Sequence, residues 1–108
     1  MKEGSMTQCL NCGRSFDISS EEDRIASISG SIQGDEYTES WFLCHACDLY
    51  TVEVLFEPFL GDDEVKTRGP ISREEGDAQV ALIRKCPKPW NKRCRCPAHI
   101  EYWKGQLD

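Results

Sequence analysis

Cys9-Leu10-Asn11-Cys12-Gly13 opens a pattern that is answered, with 31 residues intervening after Cys12, by Cys44-His45-Ala46-Cys47. Two spacer residues let one tight turn aim both of its sulfurs at a single cation. Two such turns complete a tetrahedron of four thiolates with bonds of about 2.3 Å. Gly13 suits the first turn, because the residue after the second cysteine of such a turn often needs positive φ. These four cysteines are the first candidate metal site, and the fold is expected to be organised around them. His45 lies between two ligands, and a four-cysteine site does not need it, so it is read as an outward-facing residue.

Working outward, Tyr50 to Phe56 give the clearest strand. Tyr50, Val52, Val54 and Phe56 alternate with Thr51, Glu53, Leu55 and Glu57, a period of two with one apolar face. Pro58 ends it or marks a sheet edge. Trp41-Phe42-Leu43 leads into Cys44 and is read as extended. The two knuckles and this strand resemble a zinc ribbon or rubredoxin-like knuckle pair over residues 7–60, carried by Cys9, Cys12, Gly13, Cys44 and Cys47. The resemblance implies knuckles capping a small antiparallel sheet. Two features depart from it: Asp48 rather than glycine follows the second pair, and the spacer exceeds the common 15–20 residues.

Residues 19–34 admit two readings. Ser19-x-x-Glu22 can cap a short helix carrying Ile25, Ile28 and Ile32. The β-branched residues with Gly30 and Gly34 fit a hairpin equally well. Residues 61–70, Gly-Asp-Asp-Glu-Val-Lys-Thr-Arg-Gly-Pro, read as a polar connector. A helix then begins near Ser72, where Ser72 and Glu75 form a capping box behind Pro70. Ala78, Ala81, Leu82 and Lys85 share one face of it. Gly76 weakens the helix, and Pro87 stops it around Cys86.

The remaining cysteines all fall in Cys86-Pro87-Lys88-Pro89-Trp90-Asn91-Lys92-Arg93-Cys94-Arg95-Cys96-Pro97-Ala98-His99. Cys86, Cys94, Cys96 and His99 make a three-cysteine, one-histidine set, a standard closed zinc site. Three thiols among proline, lysine and arginine have no apolar core to hide in and would be oxidisable unless ligated. Such a zinc carries a formal charge of −1, which Arg93 and Arg95 would offset. Seven cysteines is also an odd count for a disulfide framework, whereas seven cysteines and one histidine supply two four-coordinate sites.

The expected fold is thus a small metal-stabilised α+β unit: a zinc-ribbon-like part (7–60), a connector (61–70), and a helix with the cysteine–histidine part (71–108) packed with it as one domain. Residues 1–6 are expected to be flexible. The expected cofactors are two Zn2+, with iron as an alternative at the first site, since four thiolates also bind iron.

Charge is unevenly spread. Residues 1–77 hold 17 acidic and 6 basic side chains, while residues 78–108 hold 2 and 7. Arg84, Lys85, Lys88, Lys92, Arg93 and Arg95 surround Trp90. Such a segment can contact phosphates and stack a base. Equally, it can neutralise thiolates and dock on the acidic body, and a pI near 4.9 favours that second reading. Trp90 and Trp103 are read as core residues around the second metal.

No catalytic constellation is present. His99-Ile100-Glu101 matches half of the zinc deaminase signature, but no Pro-Cys-x-x-Cys follows it. The expected function is therefore non-catalytic: a metal-stabilised module for protein interaction. Nucleic-acid binding through residues 84–95 and electron transfer at an iron-loaded first site are the alternatives. The N-terminal residues contain no apolar leader and no stretch spans a membrane, so the expected compartment is the cytoplasm and the partner is not a membrane.

Overall fold

The computed structural model describes residues 7–17 and 19–108. The expected flexible segment 1–6 lies outside them. Four strands, β1 (Arg24–Ile32), β2 (Asp35–Cys44), β3 (Leu49–Glu57) and β4 (Glu64–Ser72), form an antiparallel meander in the order β1-β2-β3-β4. Helix α1 (Arg73–Arg84) follows β4 directly, and a short helix α2 (Pro97–Tyr102) lies near the C-terminus. This is the expected small α+β architecture with two candidate metal clusters. No helix among the described residues is long and apolar enough to cross a membrane.

Residues 24–44 form a hairpin, which resolves the ambiguous stretch. Ile32 pairs with Asp35 across Gln33-Gly34, whose φ values of 53° and 87° suit a two-residue turn with the twist of its strands. The decisive period is two. Ile28 is fully buried among Trp41, Leu43, Tyr50 and Val52, with Ile32 packed against the same cluster. Intervening serines point to the opposite face, where Ser27 meets Ser40 and Ser29 meets Thr38 by hydroxyl hydrogen bonds of 3.2 and 2.8 Å.

Residues 64–72 are a strand, not a connector; of the expected connector only residues 61–63 stay outside it, within the loop of residues 58–63 that links β3 to β4. The strand is exposed along nearly its whole length. An edge strand packed on one partner carries polar residues on both faces, so its composition imitates a loop. Lys66 and Pro70 on it are the charges and breaks that protect an open edge.

Ser72 caps α1 as expected, its hydroxyl accepting the Glu75 N–H at 3.1 Å. The packed face of α1 differs from the expected one. Gly76, Val80 and Ile83 are buried, whereas Ala78, Ala81 and Lys85 are exposed or nearly so and Leu82 is half-buried. The larger aliphatic side chains take the sheet, and Gly76 lets the helix approach it. A Cβ at position 76 would fall 2.0 Å from Tyr50 Cδ2. The glycine that weakens the helix locally is what seats it. Tyr102 and Trp103 complete the same core, and the Trp41 indole donates to the Tyr102 hydroxyl at 2.9 Å.

Candidate metal centres

The segment from Thr7 to Phe16 packs against the strands that carry Phe42, Thr51 and Glu53. Phe16 stacks on Phe42 with ring centroids 5.2 Å apart, the Leu10 N–H donates to buried Thr51, and the Thr7 hydroxyl bonds Glu53. This brings Cys9 and Cys12 to the β2–β3 turn, which carries Cys44 and Cys47. The two knuckles are built alike. The Gly13 N–H donates to the Cys9 carbonyl at 2.9 Å, and the Asp48 N–H to the Cys44 carbonyl at 2.7 Å. Gly13 has φ of 82°, as its position predicts, and Asp48 takes the matching left-handed conformation at 60°. Asp48 therefore fills the place of a glycine, and its carboxylate pairs with Arg73 at 2.5 Å.

The four ligand atoms of Cys9, Cys12, Cys44 and Cys47 all lie within 4.8 Å of one another. The Cys9–Cys47 and Cys12–Cys44 sulfurs are 3.9 and 3.8 Å apart. A tetrahedron with bonds of about 2.3 Å has edges of about 3.8 Å, so the donor set fits a zinc-sized cation. The electrostatics point the same way. Burial works to raise the Cys44 thiol, yet backbone N–H groups of Cys47 and Ala46 bring it down to about 7. Cys47 is drawn down by the Asn11 amide, but the adjoining thiols and burial push it up to about 11. Four sulfurs this close cannot all ionise without a compensating positive charge, and a divalent cation is that charge. His45 faces outward, bonded through Nε2 to the Glu22 carbonyl at 2.8 Å.

The second cluster is built from three local pieces. Cys86 is buried just past the end of α1, with its N–H donating to the Ile83 carbonyl. Cys94 ends a series of turns held by Asn91, whose side chain accepts the Arg93 N–H at 2.9 Å. Cys96 is the N-cap of α2, its sulfur accepting the His99 N–H at 3.4 Å, and Pro97 starts that helix. Cys86, Cys94, Cys96 and His99 again place their ligand atoms within 4.8 Å of one another. Cys86 and Cys94 sulfurs are 3.5 Å apart, and Cys86 Sγ lies 3.3 Å from His99 Nδ1. Burial pushes the Cys86 thiol up to about 12, while the His99 N–H lowers Cys96.

His99 is fully buried, and its Nε2 lies 2.6 Å from the Ser29 carbonyl on β1. A carbonyl only accepts, so Nε2 carries the proton and Nδ1 presents its lone pair to the three sulfurs. A carbonyl fixing the tautomer of an imidazole in this way is the outer support that histidine ligands usually have. The same edge of β1 is bonded again where the Ser29 N–H meets the Pro89 carbonyl at 2.8 Å. All seven cysteines are free thiols. Their sulfur separations are far beyond the roughly 2.05 Å of a disulfide.

The basic segment is divided. Lys92 pairs with Glu36 at 2.5 Å and Glu57 at 3.7 Å, docking this loop on the acidic body. Arg95 donates to the carbonyls of Lys92, Cys94 and Asp108, so it organises the loop around the cluster. Arg84 reaches the Ile25 carbonyl at 3.4 Å, while Lys85, Lys88 and Arg93 are exposed or half-buried at the rim. The two tryptophans part company: Trp103 is in the core, but Trp90 is 70% exposed. The loop carrying Trp90 is held by Lys92 and Arg95 rather than by an apolar anchor, which leaves the indole outside. Asn11 and Ser29 contribute to the two sites without any signal in the sequence. Asn11 is adjacent to a ligand but of a common type, and Ser29 acts through its carbonyl, which any residue has.

Comparison with known proteins gives no match: no family model, curated protein or solved structure is significantly similar to this chain.

Proposed function

We propose that the protein is a non-catalytic zinc-binding module whose two structural zinc ions hold a sheet-and-helix scaffold that it presents to another protein in the cytoplasm. The observation that carries this reading is that each cluster offers four protein ligands to one point. A tetrahedral cation held by four side chains keeps no position for water or substrate. The Nε2–Ser29 bond adds to it, because it ties a ligand to the sheet as a structural site requires. The first cluster supports the zinc-ribbon-like reading through its paired knuckles at one end of a sheet. It also leaves iron and electron transfer as the competing chemistry there. A protein partner is favoured over nucleic acid because Lys92 and Arg95 are engaged within the molecule and carboxylates crowd the same surface.

Elemental analysis with an absorption spectrum tests this. Two zinc ions per chain in a colourless solution are expected, and a strong chelator should abolish the cooperative melt and most far-ultraviolet dichroism. A structural zinc supplies about 10–16 kcal/mol in small zinc domains, as much as the whole net stability of a domain. Iron with visible absorption, or unchanged melting after the metal is removed, would sink the structural-zinc reading.

A further inference from the structure

The chain around the two clusters is attached to the sheet in two different ways. Residues 7–16 close on themselves: Gln8 bridges Ser15, and the Cys9 and Phe16 N–H groups donate to the carbonyls of Arg14 and Thr7 at 2.8 and 2.9 Å. Among the described residues, no backbone–backbone hydrogen bond joins this small loop to a strand. Phe42 alternates with Trp41 and Leu43, which belong to the core under the helices, so the loop lies on the other face of the sheet. It is held there by contacts that each involve a side chain: Phe16 on Phe42, the Leu10 N–H on Thr51, Thr7 on Glu53, and Arg14 to Asp23 at 3.3 Å. The chain of the second cluster is bonded to β1 through the backbone instead. The Ser29 N–H donates to the Pro89 carbonyl at 2.8 Å, and the Asp108 N–H to the Ser31 carbonyl at 2.9 Å.

Access to the sulfurs differs in the same sense. Cys12 is exposed and Cys47 half-buried. No ligand of the second cluster is exposed, and both Cys86 and His99 are buried. Oxidation of a cysteine follows its thiolate character and its exposure, and ligation to a cation keeps the sulfur as thiolate. The first cluster thus joins an accessible thiolate to a loop that little else fastens. The second joins shielded ligands to a loop that the sheet edge already holds.

We infer that residues 7–16 are a strap that a hydroperoxide unfastens: oxidation of Cys12 closes a Cys9–Cys12 disulfide and dismantles the first cluster, while the second stays intact. This rests on the reading of both clusters as structural zinc sites in an interaction module, and it adds the regulation of one of them. The Cys12 thiolate attacks the peroxide, so that an S–O bond forms, the O–O bond breaks, and hydroxide leaves and takes a proton to become water. The Cys9 thiolate then attacks the Cys12 sulfur, an S–S bond forms, the S–O bond breaks, and the second oxygen also leaves as water. Two thiolates give up one electron each, the peroxide accepts both, and two protons are drawn from solvent. Cys9 is the partner because a two-residue spacing keeps both sulfurs of one knuckle together as the site comes apart. The Cys44 sulfur, 3.8 Å from that of Cys12, stays near only while the strap is docked. A disulfide inside the knuckle leaves no link between strap and hairpin, so Phe16 is free to leave Phe42 and the surface offered to a partner changes.

The test is titration of the zinc-loaded full chain with hydrogen peroxide, with released zinc read by a chromogenic indicator and disulfides located by peptide mass spectrometry. One zinc per chain should be released well before the other, with Cys9 joined to Cys12. Cys86, Cys94 and Cys96 should still be alkylated once the remaining zinc is chelated. Amide exchange on the half-stripped protein should be fast over residues 7–17 and unchanged along β1, and a thiol reductant with added zinc should reverse both changes. Cys12→His keeps four ligands without the exposed thiolate, so its first zinc should be released at least about tenfold more slowly. If that variant does not load, the wild-type order of release and disulfide map decide alone. Release of both zinc ions together, earlier release from the second cluster, or a loaded Cys12→His as sensitive as wild type overturns the switch. So does a first cluster that keeps its zinc while glutathione in the same solution is oxidised, or a Cys12–Cys44 disulfide, which would fasten the strap. Each of these leaves the zinc scaffold standing. A chain without zinc would overturn the scaffold reading instead.

Discussion

The two candidate metal clusters offer the same ligand count but join different parts of the fold. The four-cysteine cluster staples a peripheral segment to the end of a hairpin. Its surroundings are a small apolar group of Phe16 and Phe42 beside its own cysteines. The cysteine–histidine cluster sits at the junction of α1, α2 and the β1 edge, next to the main core that contains Ile83, Tyr102 and Trp103. The first closes a margin and the second closes the fold. In a chain whose apolar core is this small, the value of a metal depends on which elements it joins, beyond how well its ligands fit.

Cys12→Ser and Cys96→Ser break this comparison most directly. Both remove one thiolate that is not deeply buried, so packing losses are small. Serine is also a good N-cap, so α2 keeps its cap in Cys96→Ser. Each variant should bind one zinc per chain. Cys96→Ser should lose its cooperative melt, because the C-terminal third is no longer fixed to the sheet. Cys12→Ser should keep a folded sheet with α1 and show rapid amide exchange only over residues 7–17 and the β2–β3 turn. The greater loss in Cys12→Ser would reverse the assignment of tasks.

The same contrast explains how much is legible in the sequence alone. The four-cysteine site is legible because its geometry is local twice over: a two-residue spacing fixes each knuckle, and only their meeting is non-local. The β3 strand, the Ser72 cap and the stop at Pro87 are legible for the same reason. The ligands of the second cluster are readable as a chemical inventory, but Cys86 belongs to the end of a helix and His99 to a second helix. Their support comes from a backbone carbonyl 70 residues away. Strand β4 escapes a sequence reading because an exposed edge does not show the apolar alternation that marks half-buried strands. The packed face of α1 escapes it because short apolar residues count equally with Val80 and Ile83, while Gly76 takes its meaning from Tyr50.

His99→Cys sharpens the role of the second cluster by separating ligation from attachment. A thiolate replaces the imidazole as fourth ligand, so two zinc ions per chain should remain. The bond to the Ser29 carbonyl is lost, and that acceptor is left buried. An unsatisfied buried polar group costs about 1–3 kcal/mol, and the vacated ring volume adds to it. A destabilisation of about 3 kcal/mol is therefore expected at full zinc occupancy, with faster amide exchange along β1. Calorimetry and hydrogen exchange on the loaded variant measure both. Wild-type melting would mean that the cation alone closes this junction and the Ser29 contact is incidental.

Asn11→Ala probes the corresponding outer contact of the first cluster, and its effect should be the smallest. The Asn11 amide donates to Cys47 Sγ at 3.2 Å, on the exposed side of the site. Removing a ligand's outer partner commonly costs about 10–100-fold in metal affinity, so a loss of about tenfold is expected here, at the low end. Water can replace an exposed donor, whereas nothing replaces the buried link at His99. Competition against a graded series of chelators reads the affinity, and global stability should fall by no more than about 1 kcal/mol. If Asn11→Ala instead weakened zinc as much as His99→Cys destabilises the fold, the first cluster would depend on its outer contacts as heavily as the second. Its position at the margin of the core would then be a poor guide to its importance.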